Sequence, residues 1–222
     1  MDLLANDELF LSDDRNQSLR KIWLVRSPRE SQAIQPPVLL FEAQESWMHR
    51  AKDGSQRGFM SHWVTPNILM TYDSRNQTFY VGLNTTFAIQ AAGLDGKIIR
   101  IIEKPFEKIK LSRKDKEKVV PYRGASQNWM INVCPDHLVV LSDIGVMPGG
   151  HLAAFRFVSV EKSEIYIFDA QGQFIYTVSL PDGINLREPI FFKSGIAGVV
   201  YGADKIVYVE YNIKNLPGIF HR

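Results

Sequence analysis

Apolar and polar residues alternate along most of the chain, and elsewhere apolar residues run for four to seven positions between polar ones. Val, Ile, Phe and Tyr fill these runs, whereas Gly, Pro, Asn and Asp separate them, which is typical of β-strands. The spacing of three, four and seven that marks an amphipathic helix is scarce. The pattern therefore predicts an all-β protein built from many short strands.

One hairpin occurs twice, with the same spacing between its glycine and its proline. It reads "AAGLDGKIIRIIEKP" at 91–105 and "FDAQGQFIYTVSLP" at 168–181. Alignment on Gly96 and Gly172 gives a repeat of four strands, A to D. Repeats of four antiparallel strands are the blades of a β-propeller, because a single blade cannot bury both of its faces. A β-sandwich also contains many short strands, but the recurring hairpin favours the propeller.

The repeat divides one domain, residues 1–222, into about two full blades and two partial ones. In the second full blade, strands A and B are predicted at "NWMINVC" (128–134) and "LVVLSD" (138–143). The predicted units are a partial blade 7–43, full blades 66–105 and 128–181, and a partial blade 189–215.

One short helix is predicted near 111–119, between the two full blades. Ser112 and Asp115 have the spacing of a capping box, and Pro121 cannot continue a helix. The signs of the charges alternate in "RKDKEK", as they do on a solvated helix face.

The hairpin sequences also carry a resemblance. The pattern xIxxxDxxGxxIxxI, here "FAIQAAGLDGKIIRII" and "EIYIFDAQGQFIYTV", resembles the blades of six-bladed propellers of the NHL and TolB-like groups. The stretch 103–119 and the ending "YVEYNIKNLPGIF" resemble bacterial six-bladed propeller proteins of unassigned function. The resemblance covers about 66–220 and its motifs are structural. The chain departs from the pattern in carrying Gly93 where the second hairpin has Asp169.

The resemblance implies six blades, and this chain predicts fewer. An open propeller would expose unpaired strand edges. Three explanations stay open: the chain is the C-terminal portion of a longer protein with N-terminal blades, it closes as a smaller or distorted ring, or two copies complete each other as a homodimer.

Composition and motifs point to no catalytic residue, metal site or cofactor. Cys134 is the only cysteine, which excludes an internal disulfide and a multi-cysteine metal site, and none of the five histidines pairs with another at metal-ligand spacing. The stretch 97–123 has ten basic and four acidic residues, a net of 10 − 4 = +6, but its alternating signs favour a solvated surface over nucleic-acid binding.

No membrane span and no signal peptide are predicted, so the compartment stays unknown; a periplasmic or secreted location would require a missing N-terminal part.

Topology predicts where a partner binds. In an up-and-down blade the links between strands B and C and between blades share one face, and the long predicted links 44–66, 104–127 and 144–163 are all of these two kinds. Trp, Tyr and Arg are enriched at binding hot spots. The candidate binding residues on this long-loop face are Trp47, His62, Trp63, Tyr122, Arg123 and His151.

The function expected from these observations is a non-catalytic binding or scaffold module that presents its long-loop face to a protein or carbohydrate partner. The alternative is a metal-dependent hydrolase or lactonase, because six-bladed propellers of the related type include such enzymes. Fold alone does not decide between the two.

Overall fold

The computed structural model describes the central part of the chain continuously and the flanking parts mainly as strands. The described residues are 3–4, 9–16, 19–26, 38–44, 47–50, 56–60, 65–120, 128, 130–132, 134–181, 186–191, 195–200 and 205–210.

The described strands form four antiparallel meanders and one hairpin. The first sheet contains β1 (Leu3–Leu4), β2 (Leu9–Asn16), β3 (Leu19–Arg26) and β4 (Val38–Gln44). The hairpin is β5 (Trp47–Arg50) with β6 (Gln56–Met60). The second sheet contains β7 (Ile68–Asp73), β8 (Thr78–Leu83), β9 (Ala88–Gly93) and β10 (Ile98–Glu103). The third sheet contains β11 (Leu141–Val146), β12 (Leu152–Ser159), β13 (Lys162–Phe168) and β14 (Phe174–Ser179), and the fourth contains β15 (Leu186–Phe191), β16 (Gly195–Val200) and β17 (Lys205–Glu210).

The second, third and fourth sheets stack through their first strands, since β11 contacts both β7 and β15, whereas the first sheet contacts the second through β4 and β8. Both faces of a central sheet are buried, so its strands alternate between two cores. In β8, Phe79 and Val81 pack with Ile22 and Leu24 of the first sheet, whereas Tyr80 packs into the core shared with the third sheet. This two-sided burial of four-stranded sheets confirms an all-β fold of propeller-like blades.

The two glycine hairpins are equivalent, as the alignment predicted. Gly96 and Gly172 have φ of 76° and 79°, a left-handed conformation that glycine adopts without strain. The amide of Gly96 donates to the carbonyl of Gly93, and the amide of Gly172 donates to the carbonyl of Asp169. Each glycine therefore closes the same turn between the third and fourth strands of its sheet.

Each hairpin is stabilised by the side-chain carboxylate of an aspartate, and this aspartate stands at a different position in each hairpin. In the second hairpin, the Asp169 side chain accepts the amide of Gln173 at 2.8 Å. In the first, where Gly93 replaces that aspartate, the Asp95 side chain accepts the aligned amide of Lys97 at 3.1 Å. The departure from the sequence pattern at Gly93 is thus compensated two residues later.

The strand assignment at the start of the third sheet was wrong. Residues 130–132, predicted as part of strand A, are helical, and the first strand of the sheet is β11. The second strand, β12, lies inside the predicted link 144–163, which is therefore not a long loop. Alanine has a low intrinsic preference for strands, yet Ala153 and Ala154 are fully buried between two sheets. Packing, rather than propensity, makes this segment a strand.

The segment between the second and third sheets contains the predicted helix, α1 (Arg113–Val119). The Ser112 and Asp115 side chains and backbones form the reciprocal capping box, which confirms the predicted start. A small core joins this segment to the third sheet; its buried residues include Leu111, Val119, Cys134, Leu138 and Phe157. Burial raises the pKa of the Cys134 thiol, in keeping with a structural role for this cysteine.

Candidate functional site

A cleft opens where the first strands of three sheets end. It encloses about 500 Å³ and lies between the ends of β7, β11 and β15 and the turns that follow β7 and β11. Its lining residues are Thr71 to Arg75, Ile144 to Gly150, Ile190 and Phe191. Because the turn after a first strand and the glycine hairpin lie at the same end of a meander, we call this end the turn face.

Asp73 shapes one wall of the cleft without being available to a ligand. The residue is only 3% exposed, and one carboxylate oxygen accepts the amides of Arg75 and Asn76 at 3.0 and 3.3 Å. The other oxygen accepts the side-chain amide of Asn76 at 2.7 Å. Asp73 is therefore a turn-forming aspartate, and the exposed Arg75 is the ionised side chain that the wall presents to solvent.

Backbone forms the second wall. Gly149 and Gly150 have φ of 107° and 82°, and the amide of Gly150 donates to the carbonyl of Met147. A Cβ atom on Gly150 would lie 3.2 Å from Nδ2 of Asn76, so the turn of the third sheet fits closely against the turn of the second. The run of glycines thus lets two neighbouring turns meet and leaves main chain facing the cleft.

The third wall is apolar and comes from the fourth sheet. The Phe191 ring lies against the backbone of Gly145, where a side chain would collide with it, and its centroid is 6.0 Å from that of Phe155. Its neighbour Ile190 lines the cleft and is 61% exposed. An isoleucine this exposed, in the same cleft as a cation and a backbone wall, can contribute contact area to an apolar group of a partner.

The pKa values of two ionisable groups at the turn face are shifted so that the neutral form is favoured. Burial raises the pKa of the Tyr72 hydroxyl, and the charge of Asp73 raises it further. Burial lowers the pKa of the His151 imidazole, and the carboxylate of Asp169 opposes part of this shift. The Nδ1 atom of His151 is buried and has no hydrogen-bond partner among the described residues.

The structure describes two of the six predicted site residues, Trp47 and His151. Trp47 begins β5, of which only the backbone is described, and His62, Trp63, Tyr122 and Arg123 lie outside the described residues. His151 was expected on the long-loop face, in a loop after strand B. It lies instead just before β12, where its carbonyl accepts the amide of Met147 in the turn after β11. The predicted placement of His151 on the long-loop face is wrong, because 144–163 contains the strand pair β11 and β12 rather than a long loop. Its predicted role in binding stays a prediction.

Part of the long-loop face lies within the described residues, at the point where the first predicted link, 44–66, ends. There the Asn84 side chain accepts the amide of Asn67 at 2.8 Å and donates to the carbonyl of Thr65 at 2.9 Å. The carbonyl of Asn84 also accepts the amides of Val140 and Leu141. Asn84 therefore ties the turn between β8 and β9 to the chain entering β7 and to the chain entering β11.

A smaller cavity of about 230 Å³ lies at this face. Its lining residues are Pro66, Thr85, Lys108 and Pro135 to Val140. Basic side chains of the stretch 97–123 form ion pairs within the chain. Lys116 pairs with Asp136 at 2.8 Å, and Lys118 pairs with Glu161 at 2.7 Å.

Two further properties concern the described part of the chain. No three or more His, Cys, Asp or Glu side chains within it are grouped so that they could hold a metal ion. None of its helices has the length and apolar character required to cross a membrane.

The sequence reasoning missed the cleft because it had placed the third-sheet strands wrongly. The signal available was the run Pro148–Gly149–Gly150 after an apolar segment, because consecutive glycines mark a turn. Arg75 and Ile190 carry no local motif, and only the stacking of three sheets brings them to one cleft.

Comparison with known proteins gives no family for this chain. No family model matches it, and no curated protein matches it. Among solved structures, it is similar to a mutant of prolyl oligopeptidase B from Galerina marginata, bound to a 35mer hydrolysis and macrocyclization substrate, with 13% identity and a TM-score of 0.30. That match covers 90% of this chain and 26% of the oligopeptidase, so the chain spans about a quarter of its length. An uncharacterised protein of Listeria monocytogenes is similar over 94% of this chain and 77% of its own length, with 9% identity and a TM-score of 0.25.

Proposed function

We propose that this chain is a non-catalytic binding module and that its ligand enters the turn-face cleft. The observation that carries the proposal is that the exposed Ile190 and the exposed Arg75 line one cleft whose remaining wall is backbone. The long-loop face expected from the sequence stays a second candidate surface, because most of its predicted residues lie outside the described part.

The chemistry of the cleft favours a peptide segment with an apolar side chain next to a carboxylate. Asp73 and Arg75 are the charged residues of the lining, and the carboxylate of Asp73 is already occupied by its turn. The charged side chain exposed to a ligand is therefore that of Arg75. A carboxylate can pair with a guanidinium in a bidentate arrangement, and an apolar side chain can cover Ile190.

A carbohydrate is the other ligand class that the sequence suggested, and the cleft favours it less. Sugars are commonly bound by stacking on an aromatic ring together with paired polar groups. Tyr72 lines the cleft, but its ring already stacks on Phe79 with centroids 4.6 Å apart, and Phe191 is covered by Gly145 and Phe155. The apolar group that remains exposed is aliphatic.

We also propose that the blades are of the six-bladed NHL or TolB-like type. The support for this finer classification is the repeated hairpin, in which Gly96 and Gly172 close the same turn and a carboxylate stabilises the same amide. An experimental structure that shows how many such blades surround one axis would test it.

The binding proposal can be tested with arrayed random heptapeptides and, in parallel, an arrayed set of glycans, each probed with the purified chain. We expect selected peptides to combine an acidic and an apolar residue. Ile190→Asp should weaken binding of a selected peptide about tenfold or more, since tenfold corresponds to ~1.4 kcal/mol and an apolar contact is lost. Arg75→Glu should remove the preference for acidic peptides.

Ile175→Asp provides a matched control, because Ile175 is also an exposed isoleucine but lies on β14, outside the cleft. This variant should bind the selected peptides like the unmodified chain. Selection of glycans without peptides, or peptide binding that neither cleft variant weakens, would overturn the proposal. Stoichiometric calcium or zinc in the purified protein, with hydrolysis of a lactone, would instead favour the enzymatic alternative.

A further inference from the structure

The cavity of about 230 Å³ on the long-loop face combines an apolar interior with a charged mouth. Two half-buried prolines line it, and its buried lining residues are Leu138, Val139 and Val140. The exposed lining residues are Lys108, Asp136 and His137. Because the exposed side chains reach solvent and the buried ones do not, the polar groups stand at the mouth and the aliphatic groups form the interior.

Lys108 is the charged side chain of the mouth that is left to pair with a ligand. The Asp136 carboxylate, the acid of the lining, already pairs with Nζ of Lys116 at 2.8 Å. Among the described residues no carboxylate forms an ion pair with Lys108, and the neighbouring Glu107 does not line the cavity. A ligand that enters here therefore meets an ammonium group whose charge has no partner within the described part of the chain.

Two further groups of the lining have unused hydrogen-bonding capacity. The amides of Leu138 and Val140 donate to main-chain carbonyls, whereas Val139 between them is 3% exposed and makes no hydrogen bond with the described residues. The hydroxyl of Thr85 likewise makes none with them. Main-chain groups of buried residues usually have a partner, so these groups are available to a ligand or to water.

We propose that this cavity binds a small aryl-alkyl carboxylate, with its ring among the aliphatic side chains and its carboxylate on Lys108. A dry apolar cavity of about 150 Å³ holds one benzene molecule. The volume of about 230 Å³ therefore accommodates a ring and a short chain that ends in a carboxylate. Burial of the ring removes apolar surface from water, and the carboxylate accepts a charge-assisted hydrogen bond from the ammonium.

This site is separate from the turn-face cleft proposed to bind peptides. Among the described residues none lines both of them. The cleft variants Arg75→Glu and Ile190→Asp should therefore bind the carboxylate like the unmodified chain, and either proposal can fail without the other.

Titration of the purified chain with hydrocinnamate, with isotope-labelled leucine and valine methyl groups observed by NMR, tests the proposal. The ring current of the bound phenyl group should shift the methyl signals of Leu138, Val139 and Val140 along one saturable curve. A ligand of about ten non-hydrogen atoms should bind with a dissociation constant of roughly 0.1–1 mM. The methyl signals of Val81, which is buried between the first and second sheets, should stay unchanged.

Two related probes separate the ring from the charge. Hydrocinnamyl alcohol keeps the ring and lacks the carboxylate, whereas acetate keeps the carboxylate and lacks the ring. We expect the alcohol to bind about fivefold more weakly than hydrocinnamate, because the ion pair is missing. Acetate should give no saturable shift of the three cavity residues, because it cannot fill the interior.

Lys108→Gln should weaken hydrocinnamate binding about fivefold and leave binding of the alcohol unchanged, because only the contact to the charge is lost. Lys114→Gln is the matched control, since Lys114 is an exposed lysine of α1 that does not line the cavity. This control variant should bind both probes like the unmodified chain.

Thr85→Phe should fill the cavity and abolish binding, whereas Thr85→Ser keeps both the space and the hydroxyl and should bind normally. Thermal denaturation of the phenylalanine variant shows whether it is folded, and Lys108→Gln tests the site without touching the interior. Shifts that do not saturate, equal affinity for the acid and the alcohol, or equal losses in Lys108→Gln and Lys114→Gln would overturn the proposal.

Discussion

Gly172 lies directly against Ile102, a residue of the outer strand of the preceding sheet. A Cβ atom on Gly172 would stand 2.9 Å from Cγ1 of Ile102, closer than side chains approach each other in proteins. Gly96 has the same relation to Val38 in the outer strand of the first sheet, where a Cβ atom would overlap the valine side chain. The hairpin glycine thus serves two purposes: it closes its turn and it lets the next sheet approach.

This relationship predicts that both glycines are needed for stacking as well as for the turn. Gly172→Val and Gly96→Val should each lower the free energy of unfolding by about 1–3 kcal/mol, because positive φ and close packing both oppose a side chain. Chemical denaturation would measure the change. Gln171→Val, in the same turn but exposed, is the control and should cost little. Equal stability of all three variants would contradict the stacking role.

A second prediction concerns Asn84, which joins two links through buried hydrogen bonds. Asn84→Ala should lower the free energy of unfolding by about 1–3 kcal/mol, because the amide of Asn67 and the carbonyl of Thr65 would lose their partner. Thermal denaturation would show this. Thr86→Ala is the control, since Thr86 is exposed and should tolerate the change. The burial of Asn84 also means that "NTT" (84–86) is not an accessible glycosylation acceptor in the folded chain.

A third prediction concerns the pH dependence of stability. The pKa of His151 is lowered in the folded chain, so the unfolded chain binds the proton more tightly. His151 should therefore not affect the pH dependence well above 6.5, and it should make stability fall as the pH decreases from about 6.5 through the lower folded pKa. His151→Gln should remove this part of the slope in denaturation curves collected between pH 5 and 8.

The matched control for His151 is His137, which is exposed. Comparison of His151→Gln with His137→Gln separates the effect of the buried imidazole from that of removing a histidine. If His151→Gln has the same pH dependence as the unmodified chain, the buried imidazole does not contribute in the predicted direction.

A fourth prediction concerns partner binding at the long-loop face. Alanine at Trp47, Trp63, Tyr122 or Arg123 should weaken partner binding without a large change in stability if this face is the recognition surface. The cleft variants Arg75→Glu and Ile190→Asp should then bind normally. Titration calorimetry with a peptide selected on the arrays would compare the two sets directly, and loss of binding in only one set assigns the surface.

The sequence by itself determined the class of fold and the repeated turn. Period-two alternation depends on local strand geometry, so β7 to β10 could be predicted where the structure has them. Glycine at positive φ is likewise a local requirement, which is why Gly96 and Gly172 could be aligned before any contact was known. The helix start at Ser112 was predictable for the same reason, because a capping box spans four residues.

Only the tertiary structure decided where the third sheet begins and where the cleft lies. Ala153 and Ala154 belong to a strand because two neighbouring sheets bury them, and that burial cannot be inferred from their own preference. Arg75, Gly150 and Ile190 are far apart in the chain and meet because three first strands end together. Local rules fix the strands, whereas stacking between sheets fixes which side chains share a surface.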